Sequence, residues 1–309
     1  MSEILIPAPL HPGSRIAIIS PASIVRGEYI DGAVEFLRDC GYEAVVMPHA
    51  KGPMDGCYAA SAGDRLADFR AAWGDPEIDA VLCARGGYGT AHLLPELPVD
   101  FLRDNAKWLV GFSDISALHA ALLHAGVASI HGPMAKHLCE NPDNESTASL
   151  MGLLSGGCKD YEVPTHPLSR PGVARGRLMG GNLAVLNGLA ATPYDVFARV
   201  AHEDVILFLE DVSEAIYAVE RMLWRLYMAG TLHRLKGLIF GQFTEYRPSA
   251  KFATMEEMLD SLLHRISLSG IPVAVGFPVG HVDDNLPLVE GAEAILTVAA
   301  TTTLVSDNL

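Results

Sequence analysis

Four short stretches hold residue types that can perform acyl transfer. The first is Gly111-Phe112-Ser113-Asp114, where an apolar run gives way to a helical pattern. A serine on such a turn exposes its hydroxyl at the carboxyl edge of a sheet. The helix N-terminus behind it offers free N–H groups and a positive dipole end to a developing oxyanion. The same serine could be an ordinary helix N-cap, and Ile115 stands where the hydrolase elbow G-x-S-x-G has its second glycine. The second stretch is Arg85-Gly86-Gly87-Tyr88-Gly89-Thr90, whose glycines let backbone approach a ligand and turn N–H groups toward it. It matches neither G-x-G-x-x-G nor a P-loop, which argues against a phosphate cradle. A plain glycine turn and a donor loop beside Ser113 both remain. The third is Glu210, at the end of the apolar run Val205–Leu209, where a carboxylate can orient an imidazole or cap the next helix with Asp211 and Ser213. The fourth is Gly280-His281-Val282-Asp283-Asp284-Asn285, a loop histidine just beyond a strand and the turn Phe277-Pro278.

A metal hydrolase is the natural rival, since the chain has 12 histidines and 37 acidic residues. Metal ligands usually declare themselves by close spacing, such as two histidines at i, i+4 on a helix. His119 and His124 miss that register and read as packing or surface residues. His131 and His137 lie across a Gly-Pro turn with no evident carboxylate partner. No metal is expected.

Alternating strands and helices must position these residues. Arg15–Ser20, Glu43–Met47, Ile78–Cys83 and Lys107–Phe112 read as strands, with helical stripes over Glu28–Cys40, Ala60–Trp73 and about Asp114–His124. This is the pattern of βαβ units and a mostly parallel sheet with flanking helices. Between about Gly156 and Arg175 three prolines interrupt any periodicity, as in a linker. Beyond it come strands at Asp204–Leu209, Gly237–Phe240 and Pro272–Val275, a long helix over about Ser213–Ala229, and a strand-like tail from Glu293 to Val305. The expected organisation is an N-terminal α/β domain over 1–160 carrying Ser113, a linker at 161–172, and a C-terminal α/β domain over 173–309 carrying Glu210 and His281.

Composition bounds the partners. At 309 residues, with 50% hydrophobic and 19% charged, the chain suits about two globular domains at roughly 150 residues each. A formal charge of −15 repels phosphate backbones and anionic lipid, which argues against nucleic acid and membrane partners. The first residues lack a basic stretch of the secretory type, and no apolar run reaches the length of a membrane span. The five cysteines, Cys40, Cys57, Cys83, Cys139 and Cys158, form no Cys-x-x-Cys pair. They read as buried free thiols of a cytoplasmic protein.

Taken in order, RGGYGT at 85–90, GFSDISALH at 111–119, HGPM at 131–134, GGNL at 180–183, LED at 209–211 and GFPVGHVDDN at 276–285 resemble the LD-carboxypeptidase family. These serine peptidases include muramoyltetrapeptide carboxypeptidases and microcin C self-immunity proteins. The resemblance runs from about residue 15 to 300. It implies Ser113 as nucleophile, His281 as general base and Glu210 as orienting acid, in an order that itself makes a consistent triad. It also implies a larger N-terminal and a smaller C-terminal domain, a site in the cleft between them, and a homodimer. The expected reaction, on this resemblance, releases the terminal D-alanine of a murein tetrapeptide and requires no metal or organic cofactor. The N–H of Asp114 and of Gly86 or Gly87 would hold the oxyanion, and Arg85 would take the substrate carboxylate unless it merely braces its loop. Two other readings stand beside this one. An immunity hydrolase of aminoacyl nucleotide analogues would want an aromatic surface for adenine, and none of Trp73, Trp108 and Trp224 falls in a predicted loop. A two-domain binding module would have the same residues and an unreactive serine.

Overall fold

The computed structural model describes residues 4–157, 160–266, 268 and 270–307. Their contacts divide into two compact units. One comprises the described residues up to Gly157 together with Asp283–Gly291. The other comprises those from Asp160 to Val282 and from Ala292 to Asp307. The chain is α/β throughout, with one sheet in each unit.

The first unit begins with β1 (Arg15–Ile19), β2 (Glu43–Val46), β3 (Ala80–Cys83), β4 (Trp108–Gly111) and β5 (Ser129–His131). These pair in parallel in the order β5-β4-β3-β1-β2. Strands β3 and β4 are buried at every position, as expected of parallel strands covered on both faces. Helices at Gly27–Asp39, Ala62–Gly74 and Ser116–Ala125 make the crossovers. The helix at Gly27–Asp39 turns Ile30, Ala33 and Leu37 into the core, which is the 3.6-residue stripe visible in the sequence.

The second unit contains β6 (Asp160–Pro164), β7 (Gly172–Asn182), β8 (Val205–Val212), β9 (Gly237–Thr244) and β10 (Val273–Val275). After β11 (Leu288–Glu290) it closes with β12 (Glu293–Val298) and β13 (Thr301–Asp307). Its sheet runs β10-β9-β8-β7-β12-β13-β6. The pairs from β10 to β7 are parallel, and those from β7 to β6 antiparallel. The helix Ile216–Met228 packs its apolar stripe, including Ile216, Val219, Leu223 and Leu226, into the core.

Three expectations change. Part of the stretch read as linker is strand: β6 pairs with β13 from Asp160 to Pro164. Its proline argued against a strand, but β6 is the sheet edge, where a missing N–H costs no ladder bond. The tail is a hairpin rather than one strand. The C-terminal domain expected over 173–309 is also interrupted, because β11 pairs antiparallel with β5 and completes the first sheet.

The cysteines need correction too. Cys83 is buried, and burial pushes its thiol up. Cys139 is partly buried, whereas Cys40 and Cys57 are exposed, one at a helix C-terminus and one in a turn. These four are free thiols; Cys158 lies outside the described residues.

Candidate active site

Ser113 sits in the turn that joins β4 to the helix Ser116–Ala125. Phe112 is fully extended, and Ser113 then turns to φ +67°, the left-handed region. A side-chain-bearing residue adopts that conformation at a cost of about 1–2 kcal/mol, so the surrounding structure must hold it there. A single 3-10 turn, Ser113–Ile115, leads into the helix. Among the described residues neither helical start carries a side-chain cap, and the capping positions fall on Phe112 and Ile115. Serine here is therefore not the N-cap.

The strand end before this turn is pinned by hydrogen bonds. The Gly111 carbonyl accepts from the Gly132 N–H at 3.0 Å and lies 2.8 Å from Nε2 of His119. Burial holds the His119 imidazole down to about 4, opposed by that hydrogen bond, so the ring is neutral near pH 7. A carbonyl only accepts, hence Nε2 carries the proton and Nδ1 accepts from the Ser129 hydroxyl at 2.7 Å. His119 is a packed structural histidine, and His124 on the same helix is exposed.

The glycine loop presses on the serine. A Cβ on Gly86 would stand 2.7 Å from Ser113 Cβ and 3.0 Å from its Oγ, too close for any other residue. Gly87 and Gly89 have φ of +118° and +114°, where glycine alone is at ease. The far end of the loop is latched to the residue after the serine, since Thr90 N–H donates to the Asp114 carboxylate at 2.8 Å. Asp114 was expected to contribute only its N–H; the buried carboxylate that fixes the loop was not legible. Arg85 donates from Nη1 to the Ile24 carbonyl at 3.2 Å, which braces the loop.

The second unit carries the other two candidates and brings them together. Glu210 is fully buried near the end of β8, and its Oε2 lies 2.7 Å from Nδ1 of His281. The capping alternative for Glu210 does not hold, because the next helix starts at Ile216 without a side-chain cap. Gly280, at φ +119°, explains the close approach: a Cβ there would be 2.8 Å from the Glu210 carboxylate. With Nδ1–H donating to a carboxylate, Nε2 of His281 is left to take a proton. The imidazole is partly exposed, its side chain at 21%, while its carboxylate partner is wholly enclosed.

Asp211, the next residue, works differently. Its carboxylate accepts N–H bonds from Val212, Ala184 and the Asn182 amide, and so starts the short helix Leu183–Gly188. Burial, and next the Glu210 carboxylate, push its carboxyl up to about 7 from an ordinary 3.8. A folded-state value above the unfolded one adds stability that is complete below about pH 4 and is lost as pH rises through about 7. Asp211→Asn should therefore flatten the fall in melting temperature between about pH 4 and about pH 7. Thermal scans across that range check it, and an unchanged slope would place the titration elsewhere.

Among the described residues no group of three or more His, Cys, Asp or Glu is placed to hold a metal ion. No helix among them is long and apolar enough to cross a membrane.

Comparison with known proteins bears on both units. Residues 16–132 match the LD-carboxypeptidase N-terminal domain, and residues 175–296 match the LD-carboxypeptidase C-terminal domain. The chain belongs to the LD-carboxypeptidase family. Membership makes it a serine-type LD-carboxypeptidase, and the two matched segments contain Ser113 and the Glu210–His281 pair respectively. The murein tetrapeptide carboxypeptidase of Pseudomonas aeruginosa is 32% identical over 91% of this chain and 92% of its own. The crystal structure of muramoyltetrapeptide carboxypeptidase from Oxalobacter formigenes is 30% identical, with a TM-score of 0.84 over 96% of this chain and 99% of that one. The microcin C7 self-immunity protein MccF of Escherichia coli is more distant, at 25% identity over 94% of this LD-carboxypeptidase and 93% of its own length.

Proposed function

We propose that this LD-carboxypeptidase hydrolyses the L,D bond that joins the terminal D-alanine to a murein tetrapeptide, in peptidoglycan recycling, with a Ser113-His281-Glu210 triad. The observation that carries the mechanism is the enclosed Glu210 carboxylate 2.7 Å from Nδ1 of His281, which sets the tautomer a general base needs. The murein branch is favoured by the higher identity to the Pseudomonas murein tetrapeptide carboxypeptidase than to MccF, 32% against 25%.

In this mechanism Nε2 of His281 takes the proton of Ser113 Oγ as that oxygen attacks the carbonyl before the terminal residue. Glu210 stabilises the imidazolium that forms. The N–H of Asp114, with that of Gly86 or Gly87, holds the oxyanion; one such donor contributes about 3 kcal/mol. His281 then protonates the leaving amine, and water, activated by the same nitrogen, releases the peptide from Ser113. The mechanism requires Ser113 Oγ within hydrogen-bond reach of His281 Nε2. Arg85 spends one N–H on Ile24, and a guanidinium has five, so donors remain for the terminal carboxylate. The family resemblance further supports a homodimer, and the cysteines without a Cys-x-x-Cys pair support a cytoplasmic protein.

Mass spectrometry of a muropeptide mixture before and after incubation tests the reading. Tetrapeptides should lose one alanine and other muropeptides should be untouched. Cleavage of an aminoacyl sulfamoyl adenosine with the muropeptides intact would move the protein to the immunity branch, and no cleavage of either would leave a binding module. Activity should also survive exhaustive EDTA treatment and be lost progressively to a serine-directed phosphonate. Loss on chelation with recovery on added zinc would replace the serine mechanism by a metal one.

A further inference from the structure

The loop that presses on Ser113 also carries an aromatic cluster that the triad does not use. Tyr88, at its tip, packs with Tyr58 and His92: ring centroids lie 6.0 Å apart for Tyr58–Tyr88 and 5.5 Å apart for Tyr58–His92 and Tyr88–His92. Tyr88 is nevertheless 58% exposed. We propose that this cluster, with Tyr88 as its open face, is the subsite for the muramoyl sugar of a sugar-bearing tetrapeptide. The proposal rests on the carboxypeptidase reading above and deepens it.

Placement is the first argument. Gly86 touches Ser113 and Thr90 is bonded to Asp114, so Tyr88 is held between two anchors on the nucleophile turn. Its own N–H donates to Ser23 Oγ at 3.1 Å, and the Gly89 carbonyl accepts from Arg65 at 2.9 Å. The ring is thus exposed on a fixed backbone, which lowers the ordering cost of binding. Two chain steps put the Tyr88 Cα at most about 7.6 Å from that of Gly86, and the side chain reaches further. In a muramoyl tetrapeptide three residues separate the sugar from the residue released, and three extended residues span about 10–11 Å. The loop backbone at Tyr88 thus lies within that span of Gly86, the residue that stands against Ser113.

Chemistry is the second argument. Arg65 is only 2% exposed; it gives its N–H groups to the carbonyls of Ala60, Pro21 and Gly89, and lies 4.9 Å over the Tyr58 ring. Its charge is spent beneath the cluster, whose outer rings are the exposed Tyr88 and His92 and the half-buried Tyr58. Such a surface suits the C–H face of a pyranose with its peripheral hydroxyls, as tyrosine joins an apolar body to a polar tip. It suits a purine less well. The three interplanar angles are 36°, 70° and 83°, so no two rings are parallel and none of these pairs can sandwich a flat base.

Two measurements decide it. The ratio of kcat/KM for muramoyl tetrapeptide to that for the free tetrapeptide should fall about fivefold in Tyr88→Ala and in Tyr88→Leu, mainly through KM. Tyr88→Phe should restore most of it. An unchanged ratio in the folded variants would overturn the proposal, as would an equal loss on both substrates. The second measurement needs no turnover. Saturation of aromatic protons in the parent protein should transfer to the ring protons of N-acetylmuramic acid, and the transfer should vanish in Tyr88→Ala or Tyr88→Leu. No transfer in the parent, or its displacement by adenosine at equal concentration, would defeat the sugar assignment. A parent that binds the sugar but cleaves neither peptide would defeat the carboxypeptidase reading instead.

Discussion

Ser113→Ala should melt within a degree or two of the parent and lose at least four decades of turnover. Serine and alanine share the Cβ that meets Gly86, so the substitution adds no clash. Both pay a similar penalty for the left-handed conformation at φ +67°. What disappears is the oxygen that must become the acyl ester. In a serine triad, loss of the nucleophile alone costs about as much as loss of all three members, on the order of a millionfold. The remainder is whatever the oxyanion donors and substrate binding contribute without covalent chemistry. A capping role predicts the reverse: about 1 kcal/mol of lost stability and intact turnover. Thermal unfolding beside muropeptide turnover separates the two, and a fluorophosphonate should label the parent and spare the variant. Turnover equal to the parent would remove Ser113 from the chemistry altogether.

Why this serine was ambiguous in the sequence is a physical matter. Serine is favoured both at helix N-caps and at nucleophile turns, so its type and position fit either. The deciding quantity is a backbone angle set from outside the segment. The Gly111 carbonyl is held by Gly132 across the parallel sheet and by His119 from the following helix, and Thr90 reaches Asp114 from 24 residues away. Periodicity reports burial of neighbouring residues and carries no trace of such bonds. Most of the parallel strands were legible because their apolar runs are continuous, as in β3 and β4; β5 and the long β7, parallel to β4 and β8 respectively, were not read as strands. β11 was not, since three residues have no period and acquire a strand's identity only by pairing with β5. β6 was hidden by its proline, which only an edge strand tolerates, and edge position is a property of the finished sheet. The Glu210–His281 contact joins residues 71 apart; residue types made both candidates, and only the resemblance joined them. Gly280, whose missing side chain makes room for that contact, stood beside His281 as the one local signal.

Glu210→Gln should lower kcat by two to four decades with KM little changed. The site leaves room for the amide: Gln is isosteric, and the Gly280 and Gly241 backbones that enclose the Glu210 side chain need not move. The amide oxygen can still accept from His281 Nδ1–H, so ring orientation is retained. The negative charge is gone, and with it the stabilisation of the imidazolium that forms when Ser113 gives up its proton. Removing the orienting carboxylate from a serine triad costs about four decades where the wrong tautomer results; a retained tautomer gives the smaller end of the range. A second readout is independent of turnover. Glu210 is one of the causes that push the Asp211 carboxyl up to about 7, so neutralising it should bring Asp211 closer to its ordinary value and shrink the stability lost as pH rises toward 7. A variant with near-parental kcat and a lowered melting temperature would make Glu210 a structural carboxylate. A shrunken pH slope together with lost turnover would tie the buried charge to both effects.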